Sequence, residues 1–112
     1  MNFDTTIGEE NISTLHIEGK ILGNATETFR KEMETQLQTG HDKLVVDLTN
    51  VPLIDSSALG AIVTTLKSCQ ESGGKLVLLN PQKAVQEVLE VTHLATVIEI
   101  YDTEESARDA FM

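Results

Sequence analysis

The stretch from Lys43 to Gly74 decides the fold. It opens with Lys43-Leu44-Val45-Val46-Asp47-Leu48, a short apolar run with an acid near its end. Thr49-Asn50-Val51-Pro52-Leu53-Ile54 follows as a connection. Asp55-Ser56-Ser57-Ala58-Leu59-Gly60 then leads into a helical pattern that stops at Gly73-Gly74. The order is strand, loop, helix, with two serines where the helix begins. A helix start leaves backbone N–H groups without intrahelical partners and carries partial positive charge. An anion is welcome there, so a hydroxyl fixed at that point is a reasonable place for a phosphate. Asp and Ser are also ordinary N-cap residues, and capping alone accounts for their position.

The run Val45-Val46-Asp47-Leu48 followed by Ile54-Asp55-Ser56-Ser57-Ala58-Leu59-Gly60 resembles the signature of STAS domains, in particular the bacterial anti-sigma factor antagonists. The resemblance covers nearly the whole chain, including the ending Ile100-Tyr101-Asp102-Thr103-Glu104-Glu105-Ser106-Ala107. It implies that Ser56, the serine directly after the second Asp, takes the phosphate, with Ser57 as the alternative. It implies that the unphosphorylated protein binds an anti-sigma factor that is also a serine kinase of histidine-kinase-like ATPase fold, and so frees a sigma factor. A PP2C-like phosphatase then restores the serine. The docking surface implied is Asp55, Ser56, Ser57, Ala58, Gly60, Thr64 and Lys67. Two positions depart from the family pattern. Ala58 stands where Gly is usual, and its Cβ is expected to crowd the kinase. The segment Gly19-Lys20-Ile21-Leu22-Gly23-Asn24 lacks the Asp that many antagonists carry there. The other reading is an STAS scaffold subunit of a transport or signalling complex that never cycles through phosphate. The serine pair is then a helix cap, and the Gly60–Lys67 face a docking surface.

With 112 residues the chain is long enough for one core and not two, so residues 1–112 are read as a single domain. Aromatics are only 4% with no Trp, which leaves the core to Leu, Ile and Val. A net charge of −10 argues against nucleic acid and against an anionic membrane surface, both of which need clustered Lys and Arg. It favours faster encounter with a basic protein, although acidity also serves solubility. Cys69 is the sole cysteine, so no internal disulfide forms. The opening Met1-Asn2-Phe3-Asp4 has neither the basic nor the apolar segment of a signal peptide, and a cytoplasmic protein is expected.

Along the rest of the chain, Phe3, Thr5 and Ile7 alternate with Asp4 and Thr6 as in a half-buried strand. After a turn at Gly8–Asn11, Ser13, Leu15, Ile17 and Gly19 form one face of a second strand, antiparallel to the first. Thr14, His16 and Glu18 form the other, where His16 is expected to be solvated. Asn24 and Glu27 resemble a capping box. Ala25, Phe29, Met33 and Leu37 trace one stripe of a helix from about Ala25 to Thr39, closed by Gly40. The run Leu44–Leu48 shows no polar alternation and reads as a strand covered on both faces. Asp47 either caps a turn or points at Ser56.

The helix after Ser56 places Leu59, Ile62, Val63, Leu66 and Cys69 inward. Gly60 within it implies a close approach, by a partner or by a neighbouring helix. Lys75–Leu79 is a further strand. Asn80-Pro81 predicts an N-cap with Pro at the first helical position, and Val85, Val88 and Leu89 line that helix. Val97–Ile100 is the last strand. Asp102 with Glu105 predicts a capped terminal helix anchored by Ala107, Ala110 and Phe111. The order β-β-α-β-α-β-α-β-α implies an α/β fold with a mainly parallel sheet and an antiparallel first strand. The STAS fold is similar in these respects.

Motifs for chemistry are missing. His16, His41 and His93 lie in unlike elements without metal-ligand spacing, which argues against a zinc site. There is no dinucleotide or Walker fingerprint and no hydrolase elbow around the serines. A receiver domain groups acidic residues after its first strand with the acceptor Asp, whereas the first strand here ends at Ile7-Gly8 before a turn, which argues against that reading. The expectation is a regulatory binding module, monomeric, without cofactor or metal, and not an enzyme.

Overall fold

A computed structural model describes residues 1–112. Five strands form one sheet in the order β1-β2-β3-β4-β5: β1 (Asn2–Ile7), β2 (Ile12–Glu18), β3 (Lys43–Asn50), β4 (Lys75–Leu79) and β5 (Glu99–Tyr101). β1 runs antiparallel to β2 across a 3-10 turn at Glu9–Asn11, and every other pairing is parallel. The crossovers are α1 (Asn24–Gln38), α2 (Ser56–Glu71) and α3 (Lys83–Val91), and α4 (Glu104–Asp109) ends the chain. No helix is long and apolar enough to cross a membrane.

The continuous apolar strands are explained by two covered faces. Leu44, Val46 and Leu48 of β3, with Leu76 and Leu78 of β4, join the larger core cluster with Phe29, Met33, Ile62, Cys69, Val85 and Leu89. Val45, Val77 and Leu79 point the other way, into a smaller cluster with Ile12 and Ala107. So α1, α2 and α3 cover one face and α4 the other. Each large aliphatic side chain so buried contributes about 1.5–3 kcal/mol.

Several boundaries and caps differ from the sequence reading. β1 is not half-buried: Phe3 and Ile7 remain 41% and 54% exposed, because the strand lies at the sheet edge. In α1, Thr26 and Gln36 are buried beside Phe29 and Met33, while Ala25 and Leu37 are only half-buried. Asn24 does not cap α1. Gly23 holds that position with φ +54°, and Glu27 pairs with Arg30 rather than reaching back. Asn80 does not cap α3 either. It takes φ +48°, and its N–H donates to the Tyr101 carbonyl at 2.7 Å. The helix begins only at Lys83, so Pro81 lies outside it. Thr103, not Asp102, caps α4 by accepting from the Ser106 N–H at 3.1 Å. The last strand is displaced to Glu99–Tyr101, leaving Val97 60% exposed.

The stop at Gly73-Gly74 has two separate causes. Gly73 adopts φ +84°, which favours glycine. A Cβ on Gly74 would lie 2.1 Å from the Asp42 carbonyl oxygen, too close for any side chain.

Candidate functional site

The connection from β3 to α2 carries the site. After Asn50 the chain buries Val51 and Ile54, and Ile54 forms a single parallel bridge with Ile21. The Ile21 N–H donates to the Leu53 carbonyl at 3.0 Å, and the Asp55 N–H donates to the Ile21 carbonyl at 3.2 Å. This anchors Asp55 against the segment that leads into α1. Its carboxylate then serves three donors. Oδ1 accepts from the Ala58 N–H at 2.9 Å and from the Thr26 hydroxyl at 3.2 Å, and Oδ2 accepts from the Gly23 N–H at 3.0 Å. The Ala58 amide, then the Gly23 amide, hold this carboxyl below the usual aspartate range. Asp55 is therefore an N-cap, and it also ties the starts of α1 and α2 together.

Ser56 and Ser57 occupy the first two positions of α2, and both are exposed. Asp55, not either serine, makes the capping bond. The serine hydroxyls are left facing solvent. Gly60, Thr64 and Lys67 continue along the same helix and are exposed as well. A Cβ built on Gly60 meets nothing within 4 Å. No neighbouring helix approaches it, so the Gly sits on open surface.

Ala58 departs from the expectation. Its side chain is fully buried in the larger core cluster, pointing away from the serines. It is not part of an exposed docking face, and its Cβ cannot crowd a visitor at Ser56. Val63 likewise is only half-buried, while Ala61 and Thr65 take inward positions alongside Leu59, Ile62, Leu66 and Cys69.

Asp47 turns away from Ser56. Oδ1 accepts from the Thr49 N–H at 3.0 Å and its hydroxyl at 2.6 Å, which caps the strand end. Oδ2 lies 2.8 Å from His16 Nδ1, so His16 is paired rather than merely solvated. Burial pushes the Asp47 carboxyl up, but the Thr49 and His16 bonds outweigh it and the net shift is downward. His41 and His93 remain apart from this pair: His41 contacts Thr39, and His93 precedes the 3-10 turn at Leu94–Thr96. Gly23 and Thr26 were not foreseen as members of the Ser56 site. Nothing local marks them, because their contacts with Asp55 span 32 and 29 residues.

The model of the STAS domain family matches residues 5–107. The chain belongs to the STAS domain family. A candidate anti-sigma factor antagonist of Thermotoga maritima is 43% identical over 67 residues, which are 60% of this chain and 59% of that protein. The aligned part thus spans under two thirds of that relative. The anti-sigma-B factor antagonist of Listeria monocytogenes is 30% identical over 108 residues, 93% of each chain. The crystal structure of a candidate anti-sigma factor antagonist from Thermotoga maritima superposes with a TM-score of 0.91 at 32% identity, covering 97% of this STAS domain and 93% of that chain.

Proposed function

We propose that this STAS domain is an anti-sigma factor antagonist switched by phosphate at Ser56. The unphosphorylated protein docks onto an anti-sigma factor that is also a serine kinase, of histidine-kinase-like ATPase fold, and frees a sigma factor in the cytoplasm. The kinase transfers phosphate from ATP to the Ser56 hydroxyl, and docking is lost. A PP2C-like phosphatase resets the serine. The chain itself is a binding module, not a catalyst. The names of its relatives support the class of partner. The observation that carries the switch is the exposure of Ser56 at the first position of α2, with capping left to Asp55.

The electrostatics favour release without a large rearrangement. A phosphate adds roughly −1.5 to −2 charge and three acceptor oxygens. At Ser56 it gains the helix dipole but lies beside the Asp55 carboxylate. The nearest basic residue on the exposed face of α2 is Lys67, about 16 Å along the axis at 1.5 Å per residue. It is too far to neutralise the new charge. The phosphate stays on the surface and meets any docked partner with bulk, charge and a desolvation cost. Gly60, one turn further along the same face, has no side chain and lets a partner backbone come close, so little room remains at the interface.

Incubation with the cognate kinase and ATP, followed by peptide mass spectrometry, tests the assignment. Phosphate on Ser56 is expected. Phosphate on Ser57 alone, or on neither serine, overturns it.

A further inference from the structure

The face of the sheet opposite α1–α3 holds a second cluster that the switch at Ser56 does not use. His16 of β2 and Asp47 of β3 are cross-strand register partners, and Glu104 opens α4 above them. Each offers one ligand atom, and these atoms all lie within 4.8 Å of one another. His16 and Asp47 are half-buried and Glu104 is exposed. We propose that His16, Asp47 and Glu104 form a binding site for one divalent transition-metal ion of the zinc class.

The cluster is a mixed donor set on a rigid base, not a patch of acids. Two of the three donors sit on adjacent strands in the middle of the sheet, where the backbone is fixed. Nδ1 of His16 and Oδ2 of Asp47 face each other at 2.8 Å, so an ion held by both takes the place of that hydrogen bond, while Nε2 keeps the Thr6 hydroxyl at 3.4 Å. His16 and Glu104 border a cavity of about 180 Å³, ample for an ion with its remaining water ligands. Thr6 and Thr14 line the same cavity and can hold those waters. Zinc–nitrogen and zinc–oxygen bonds of about 2.0–2.2 Å set tetrahedral neighbours roughly 3.3 Å apart. His16 Nδ1 and Asp47 Oδ2 stand at 2.8 Å and no donor pair is farther apart than 4.8 Å, so modest side-chain turns bring them to that spacing.

The ligand types choose the ion. An imidazole with two carboxylates suits zinc and its neighbours, whereas magnesium and calcium prefer oxygen alone. The two carboxylates and a neutral imidazole sum to a charge of −2, which one divalent ion balances. Arg108 borders the cavity from α4 and opposes a cation, and the Glu9 carboxylate, which borders it too, offsets that charge. Spacing along the chain hides such a site, because its ligands come from three elements. A bound ion would clamp α4 onto the smaller core cluster that the helix covers.

The test uses the full chain. Zinc is titrated calorimetrically, with magnesium as the contrast, while the imidazole C–H signals of the three histidines are followed by NMR. One zinc per chain, with only His16 perturbed, is expected. Glu104→Gln, an exposed change that leaves the core intact, should weaken zinc at least about tenfold. His16→Gln should abolish binding. No binding at about 1 mM zinc, equal affinity in Glu104→Gln, or perturbation centred on His41 or His93 overturns the site. Phosphorylation of Ser56 in Glu104→Gln reads out the switch separately, so the two proposals fail independently.

Discussion

Thr26 and Asp55 lie 29 residues apart in sequence and meet side chain to side chain, the Thr26 hydroxyl donating to Asp55 Oδ1 at 3.2 Å. The bond fixes the first turn of α1 against the cap of α2. Because Thr26 is buried, water cannot replace it freely. Thr26→Val keeps the shape and removes the donor. It should cost about 1 kcal/mol of stability, a fall of several degrees in melting temperature. It should also loosen the frame around Ser56, lowering the rate of phosphate transfer at limiting kinase. Thermal melts and initial-rate assays on the same samples check both. An unchanged melting temperature would show that the bond is not formed.

Asp55 makes stability depend on pH in one direction. The Ala58 and Gly23 amides depress its carboxyl in the folded protein. A depressed carboxyl stabilises the fold fully above its unfolded value, and the contribution disappears as pH falls through the folded value. Asp55→Asn keeps an oxygen for the amides but removes the charge. The gap in stability between the two proteins should be widest at neutral pH and close under strongly acidic conditions. Urea unfolding across a pH series measures it, and a gap independent of pH would contradict the assignment.

The fold was legible because its strongest signals are local. Apolar strands without polar alternation at Leu44–Leu48 and Leu76–Leu79 pointed to central positions, and the paired glycines at 73 and 74 marked the end of α2. The failures are non-local. Asn24, Asn80 and Asp102 each look like a cap from their neighbours. The Gly23 amide instead bonds Asp55, and Asn80 donates to Tyr101 and Thr49. Ala58 was misplaced for a related reason. A family motif says which residues matter together, not which way each side chain points around a helix. His16 sits on a polar strand face, and only the β2–β3 register brings it to Asp47.

Ala58→Gly follows from that correction. The buried Cβ packs in the core and does not face the serine. Restoring the family's usual glycine should destabilise the protein by about 1 kcal/mol or more, from lost helix propensity and lost packing. It should leave phosphorylation of Ser56 unchanged. A faster kinase reaction in the variant would mean that the side chain does obstruct the approach.

Gly60 and Gly74 are predicted to respond to alanine in opposite ways. Gly60 lies inside α2 with open space around it, so Gly60→Ala should raise stability by up to about 1 kcal/mol. If a partner backbone docks there, the same change weakens binding. A protein more stable yet bound less tightly separates a docking face from a folding role. Gly74→Ala drives a Cβ against the Asp42 carbonyl, which the β3–β4 pairing holds in place. It should cost about 1–3 kcal/mol through overpacking. Denaturant midpoints for both variants, with binding titrations for Gly60→Ala, decide.

Ser56 itself admits the sharpest comparison. Ser56→Ala removes the acceptor hydroxyl from an exposed position whose cap is supplied by Asp55, so folding is untouched. This variant should bind the anti-sigma kinase as tightly as the parent and remain bound when ATP is added. Ser56→Asp places a charge beside Asp55, on a helix whose own cation, Lys67, is three turns away. If mutual repulsion and lost solvation across the interface amount to about 3 kcal/mol, affinity drops more than a hundredfold. The helix dipole favours an acid at this position, so Ser56→Asp should be no less stable than the parent. Weak binding with full stability locates the effect at the interface. Tight binding by Ser56→Asp together with a normal ATP-driven release would place the controlling phosphate somewhere other than Ser56.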